Sequence, residues 1–305
     1  MNQATIELLM HPKHITNDVR ELIKSDFQNQ ITQSIKAIHK WIEIEEYQSK
    51  DERKQLLACL DIESIVVDIL STTFMHAQSP MPFISIASMI RIDGMDKLTS
   101  LKTVSELLAL LVHTKLYEIQ RTKDNRYIYS LLELPFDHPL SKRVRLSCYL
   151  PPLVEKPMKI ENNYQSGYHT IDDCVILGYT ENQHKHKLAL DTLNTLNSIE
   201  YELDTYVLNN FEKEWHREEL HDDELALLSN DEQLEYHIQH QTWQQYQEQF
   251  QVLSEMLQNK TLYFLHKYDK RGRVYTQGYH FSNQGSSFEK ACLNLKTKEL
   301  ITGEL

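Results

Sequence analysis

In the stretch DKRGRVY, from Asp269 to Tyr275, two arginines flank a glycine. A carboxylate stands two residues before Arg271, and a phenol ring stands two residues after Arg273. A guanidinium group is planar and binds two phosphate oxygens at once. Gly272, between two such groups, lets the backbone come close to a ligand. Tyr275 offers a ring on which a base or sugar stacks. This chemistry points to contact with phosphates. The same residues also suit a surface strand whose arginines pair with acidic helices upstream, and spacing alone does not separate the two.

Other chemistry-bearing groups carry less. His184 and His186 lie in QHKHK, His216 and His221 in WHREELH, and His237 and His240 in YHIQH. A zinc site needs ligands that converge, such as an i, i+4 histidine pair with a nearby acid, and these spacings lack it. They read as solvated surface histidines. Asp222, Asp223 and Glu224 read as a solvated connector between helices rather than a cation site. The chain has no GxxxxGK[ST], GxSxG or GxGxxG signature. No metal-ligand set and no catalytic residue for metal chemistry is assigned to it.

Composition narrows the class. A chain of 305 residues buries a sizeable core, and its charged and apolar fractions are those of a globular protein. No apolar run is long enough to span a membrane, and Met1-Asn2-Gln3 opens no signal peptide. Cys59, Cys148, Cys174 and Cys292 are scattered, with no CxxC pair, which fits a reducing, cytoplasmic compartment. Taken globally, the net charge of −12 argues against nucleic acid as a partner. Its distribution is uneven. Ile199–Leu257 holds fifteen acids against Lys213 and Arg217, whereas Lys260–Glu299 holds eight Lys or Arg against three acids. A basic face on an acidic protein binds phosphates while the remainder discourages indiscriminate contact.

The elements that must position these residues follow from periodicity. Residues 1–113 read as mostly helical, with a break at Ser79-Pro80-Met81-Pro82 and a further helix over Thr99–His113. KLYEIQRTKDNRYIYSLLEL, Lys115–Leu134, reads as a β-hairpin turning on Lys123-Asp124-Asn125. The stretch after Pro135 reads as loops and short strands. Helical period returns over Lys187–Trp215 and again from Asp231 to about Asn259, with Ser229 or Asn230 as N-cap. Those two segments predict an antiparallel helical pair. The tail reads as strand and loop.

The tail also resembles a family. The spaced set Phe264, Asp269, Arg271, Gly272, Arg273, Val274, Tyr275, Phe281, Gln284, Gly285, Lys290, Leu293 and Leu295 is similar to the start of the palm in single-subunit DNA-dependent RNA polymerases of phages and mitochondria. LNTLNSIEYELDTYVL, Leu193–Leu208, is similar to a family helix leading into the thumb. Asn194, Asn197, Ser198, Tyr201, Leu203 and Asp204 take its places, and several depart from the usual residue. YLPPLVEKPMKIENNYQSGYHT is similar to the family's Pro-Pro segment followed by Gly-Tyr.

The resemblance implies a mainly α fold with small β elements (α+β). Residues 1–186 would form an N-terminal domain with the hairpin, residues 187–259 a thumb-like helical pair, and residues 260–305 the first palm strands. Arg271 and Arg273 would contact the template or the RNA–DNA hybrid, with Gly272 allowing the approach and Asp269 orienting the arginines or holding the loop. Tyr275 would pack near the template base or primer end, and Lys290 would touch the nucleic-acid backbone. Lys123, Asp124, Asn125 and Arg126 at the hairpin tip would take part in promoter melting. In the family two palm aspartates hold the Mg²⁺ that drives nucleotidyl transfer, and the chain ends at Leu305 before any residue matches them. The expectation is therefore the N-terminal subunit of a split, heterodimeric phage RNA polymerase, inactive alone and working in the cytoplasm of an infected bacterium. A second polymerase subunit would supply the fingers and the aspartates, and DNA template, RNA product and NTPs would complete the list of partners, with no membrane. The alternative is a non-catalytic nucleic-acid-binding transcription regulator derived from the same half.

Overall fold

The computed structural model of the chain describes residues 1–132, 134, 138–146, 150–178, 182–215 and 219–298. Helices dominate, and three small antiparallel sheets accompany them among the described residues, so the mainly α class with small β elements holds. Contacts divide the chain into two compact units, each discontinuous in sequence. One takes Pro12–Cys148 and Leu220–Thr242, and the other takes Met1–His11, Tyr149–Glu219 and Trp243–Leu305. Among the described residues no helix is long and apolar enough to cross a membrane.

The second of these units receives the first helix, α1 (Gln3–Met10). The first unit opens with α2 (Pro12–Asp26), whose leading proline has no N–H to lose at that position. Ile15, Val19 and Ile23 recur every four residues along it and are fully buried. Burial of each such side chain contributes about 1.5–3 kcal/mol. Around it pack α3 (Gln28–Glu43), α4 (Gln48–Ala58), α5 (Ile62–His76), α6 (Phe83–Met89) and α7 (Lys97–Leu111), sharing one apolar core. Asp61 caps α5 by accepting from Ser64 N, and Asp96 caps α7 by accepting from Leu98 N and Thr99 N. The Ser79–Pro82 break ends in a short edge strand, β1 (Met81–Pro82), where proline is tolerated.

The hairpin forms as expected. Strands β2 (Tyr117–Arg121) and β3 (Arg126–Ser130) pair in register Tyr117↔Ser130 through Arg121↔Arg126, and β1 adds to the far side of β3. Tyr117 is buried and donates its hydroxyl to Leu108 O at 2.6 Å, pinning the hairpin to α7. The stretch after Pro135 differs from expectation, because α8 (Pro139–Leu146) is helical. Its period is only two turns long, and Arg143 holds it by pairing with Asp18 at 2.6 Å.

In the second unit the predicted long helix over Lys187–Trp215 is broken into three pieces: α9 (Leu190–Asn197), β4 (Tyr201–Leu203) and α10 (Thr205–Asn210). The cause is polar side chains that compete with the helix ladder. Asn197 Oδ1 accepts from His266 N at 2.9 Å, and Asp204 caps α10 by accepting from Val207 N at 3.0 Å. The antiparallel pair of long helices is therefore absent. The acidic connector makes a single turn, α11 (Asp222–Leu225), with its acids exposed. Then α12 (Asn230–Leu257) runs for 28 residues, its start fixed by Ser229 and Glu232 bonding reciprocally. Asn230–Thr242 of it counts with the first unit and Trp243–Leu257 with the second.

The second unit closes with β5 (Leu265–Tyr268), β6 (Val274–Gln277), α13 (Ser287–Ala291) and β7 (Leu293–Leu295). β5 pairs with β6, and β7 returns to pair with β4 in register Tyr201↔Leu295 to Leu203↔Leu293. α1 docks into this unit through a buried carboxylate. Glu7 accepts from Gln3 Nε2 at 2.9 Å, His169 N at 3.0 Å, Thr170 N at 2.7 Å and Thr170 Oγ1 at 2.6 Å.

Candidate functional site

All four residues of β5 are buried, although three of them are polar or carry a hydroxyl: His266, Lys267 and Tyr268. Each polar group has a defined partner. Lys267 Nζ pairs with Asp173 Oδ2 at 2.6 Å, Tyr268 donates its hydroxyl to Ala189 O at 2.9 Å, and the backbone N and the ring Nδ1 of His266 both meet Asn197 Oδ1 at 2.9 Å. Burial holds the His266 pKa below the usual range, so the ring is neutral near pH 7. Such a strand is a rigid base for the turn that follows.

The turn joins β5 to β6 and is organised by one carboxylate. Asp269 Oδ1 accepts from Arg271 N at 2.8 Å and from Arg273 N at 3.0 Å. Its Oδ2 accepts from Arg271 Nε at 3.1 Å and from Arg273 Nε at 2.9 Å. Asp269 thus both orients the arginines and holds the loop. Partial burial pushes its pKa up, but bonds from the Arg273 backbone and guanidinium and the charge of Lys270 outweigh this and hold the carboxyl below its usual range. Each guanidinium pairs with this carboxylate through its Nε. The Arg271 and Arg273 side chains are 64% and 54% exposed, while Asp269 is 15% exposed. Among the described residues the arginines therefore pair within their own turn, not with the acidic helices upstream.

Gly272 sits at φ +81° with open space where a Cβ would stand. Its glycine is required by the left-handed backbone of the turn. The Arg273 guanidinium carbon lies 5.4 Å from the centre of the Tyr275 ring, so Tyr275 supports Arg273 from β6. Gln284 reaches back to the outer edge of β6, accepting from Thr276 N at 2.9 Å and donating to Val274 O at 3.3 Å. An edge that is otherwise open is closed by one side chain. Six of the residues singled out in the tail are thereby gathered on one hairpin: Asp269, Arg271, Gly272, Arg273, Tyr275 and Gln284.

Lys290 stands apart, exposed on α13. That helix is fixed by a capping box between Ser286 and Glu289, and a Cβ on Gly285 would collide with the Glu289 carboxylate. Glu289 also pairs with Lys213 at 2.7 Å, and Lys213 Nζ lies 4.1 Å from the centre of the Tyr246 ring. His280 stacks on the same ring at 4.8 Å, its pKa pushed down to about 3 by burial and by the Lys213 charge. No role was expected for Lys213, whose only signal in the sequence is its place as one of two cations within an acidic run.

The remaining candidates are dispersed. Lys123, Asp124, Asn125 and Arg126 form the exposed tip of the β2–β3 hairpin, in the other unit. His184 and His186 have ring centres 5.0 Å apart, and Asn163 Nδ2 donates to both of their carbonyls at 2.8 Å. His221 and His237 are exposed, and His240 stacks on Tyr236. His216, Arg217 and Cys148 lie outside the described residues. The arrangement at the β5–β6 turn suits anion binding: two fixed, exposed guanidinium groups, one ring and a rigid strand beneath. No protein-family model matches the chain, and no curated protein matches it.

Proposed function

We propose that this chain is the N-terminal subunit of a two-chain DNA-directed RNA polymerase of the single-subunit type. The observation that carries the reading is the Asp269 turn. In it one carboxylate holds the Nε of two exposed guanidinium groups at the end of a buried strand, within a stretch that resembles the start of the polymerase palm.

Arg271 and Arg273 then grip successive phosphates of the template or of the RNA–DNA hybrid, and Tyr275 stacks close to the template base or primer end. Lys290 adds a backbone contact. The resemblance assigns none of these residues to the metal-binding aspartates, so the proposal places those, with the fingers and their Mg²⁺, on a second chain. Held by those aspartates, the metal would supply activation of the attacking 3′ oxygen and stabilisation of the leaving pyrophosphate. The part of this chain is to bind and orient nucleic acid, and its place of work is the cytoplasm of an infected bacterial cell. Because the two chains complete one site, their interface is large and obligate.

The test is Arg273→Ala in the assembled two-chain enzyme. Transcript yield on a DNA template falls at least tenfold, the effect of one lost charge-assisted contact of about 1.4 kcal/mol or more. Co-elution of the two chains is unchanged. Full activity of the variant overturns the assignment.

A further inference from the structure

The second unit holds a cleft of about 630 Å³ between three short segments of its chain, residues 161–164, 185–188 and 190–191. Asparagines knit these walls together. Asn163 is buried, and its Nδ2 donates to His184 O and His186 O, both at 2.8 Å. Its own carbonyl accepts from Val175 N at 2.9 Å, and Val175 is fully buried, so the wall of residues 185–188 is tied to the core. Asn194 of α9 accepts from Ile160 N at 2.8 Å and donates to Ile160 O at 2.9 Å, which joins the helix start to the first wall. Asn162 Oδ1 accepts from Tyr164 N at 2.9 Å and fixes the turn between them. The cleft is therefore pre-formed, and its volume falls within the range of about 300–1,000 Å³ of small-molecule sites.

Its lining brings three kinds of chemistry together. Lys185 and Lys187 are exposed, and neither makes an ion pair among the described residues. Two ammonium groups two residues apart suit a phosphate chain. Tyr164 and His186 bring rings of the kind on which a base stacks. Glu161 and Asp191 bring carboxylates, the acceptors that ribose hydroxyls take in nucleotide sites. Counting Lys159, which lies 3.8 Å from Glu161, three lysines stand against these two acids, so the balance still favours an anion. A bare phosphate would leave most of the cleft empty and the rings and acids unused. We propose that the cleft binds a free nucleotide, with its phosphates on Lys185 and Lys187, its base against Tyr164 and its ribose hydroxyls donating to Glu161 or Asp191. The inference goes beyond the proposed function and needs neither a second chain nor the polymerase reading.

The experiment is isothermal titration calorimetry of the full 305-residue chain with ADP. ADP binds the parent, and K185A/K187A weakens it roughly tenfold or more, the effect of one lost charge-assisted contact. Y164A weakens it roughly fivefold or more through lost stacking. K296A/K298A removes the same charge from exposed lysines elsewhere in the unit and leaves affinity near that of the parent. Inorganic pyrophosphate, which has the charge but neither base nor ribose, binds roughly tenfold or more weakly than ADP. The parent prefers ADP to 2′,3′-dideoxy-ADP, and E161A/D191A abolishes that preference. Far-ultraviolet circular dichroism confirms that each variant is folded. Failure of ADP to bind, unchanged binding in K185A/K187A or Y164A, an equal loss in K296A/K298A, a preference for ADP that survives E161A/D191A, or pyrophosphate binding as tightly as ADP overturns the inference. Each of these results leaves the polymerase reading standing, because that reading is tested by transcription in Arg273→Ala.

Discussion

Alanine at Asp269 is expected to lower transcript synthesis by the proposed two-chain polymerase roughly a hundredfold, the cost of misplacing contacting groups by about 1 Å. The effect exceeds that of Arg271→Ala or Arg273→Ala, because one carboxylate takes the Nε of both arginines and the backbone N–H of both. Without it two cations on one short turn repel each other, and the loop loses the bonds that close it. Asp269→Asn separates the two roles. Its amide oxygen still accepts from Arg271 N and Arg273 N, so the turn forms, but an amide NH₂ now faces two Nε donors. Synthesis is expected to fall nearly as far as in the alanine variant, while the urea midpoint stays close to that of the parent. The check is run-off transcript yield per assembled complex. Wild-type yield from Asp269→Asn would show that the arginines need no fixing.

The largest expected effect on stability lies at the other end of the chain. Glu7 is fully buried, and Glu7→Ala removes the acceptor shared by His169 N, Thr170 N, Thr170 Oγ1 and Gln3 Nε2. Donors left unsatisfied inside a protein cost about 1–3 kcal/mol each, and partial rehydration brings the sum to about 3 kcal/mol. Urea unfolding followed by circular dichroism measures it. The same carboxylate sets a pH dependence. Burial pushes its pKa up, but the bonds from His169, Thr170 and Gln3 outweigh this and leave it lowered in the folded chain. Its contribution is therefore fully present above the unfolded value of about 4.3 and is lost as pH falls below that towards the folded value. The stability gap between the parent and Glu7→Gln is wide at neutral pH and narrows below about pH 4. A gap that does not change with pH would contradict the buried-carboxylate assignment.

Much of the fold was legible where local signals agreed with tertiary demand. The hairpin carried alternating β-branched and aromatic residues around a turn-forming centre, and it formed at that place. The start of α12 was legible because Ser229 and Glu232 stand three apart ahead of a periodic run. Lys187–Trp215 misled because its leucines keep a helical period across Asn197–Asp204. The polar residues there were already committed, Asn197 to β5 and Asp204 to capping α10. α8 was too short for periodicity to show.

The site was legible as a set of residue types but not as an arrangement. Asp269, Gly272 and the two arginines were recognisable from spacing. That one carboxylate would serve both guanidinium groups depends on a left-handed turn, which glycine permits but does not specify. Asp231 and Glu235, whose carboxylates accept from Lys123 N and Asn125 Nδ2 at the tip of the β2–β3 hairpin, come from more than a hundred residues downstream. No local pattern announces such a contact. Glu7 gave no signal either, because an isolated acid in an N-terminal helix looks like any solvated one.

The central claim is that this chain supplies one wall of a polymerase site and a second chain supplies the metal-binding aspartates. The most direct measurement is native purification from the cells that make it, followed by RNA synthesis from NTPs on a DNA template. The claim predicts a stoichiometric second chain carrying two metal-binding aspartates, with Mg²⁺-dependent synthesis by the pair and none by this chain alone. A stable monomer that binds nucleic acid and recruits no such chain would contradict it, and would assign the Asp269 turn to a regulator.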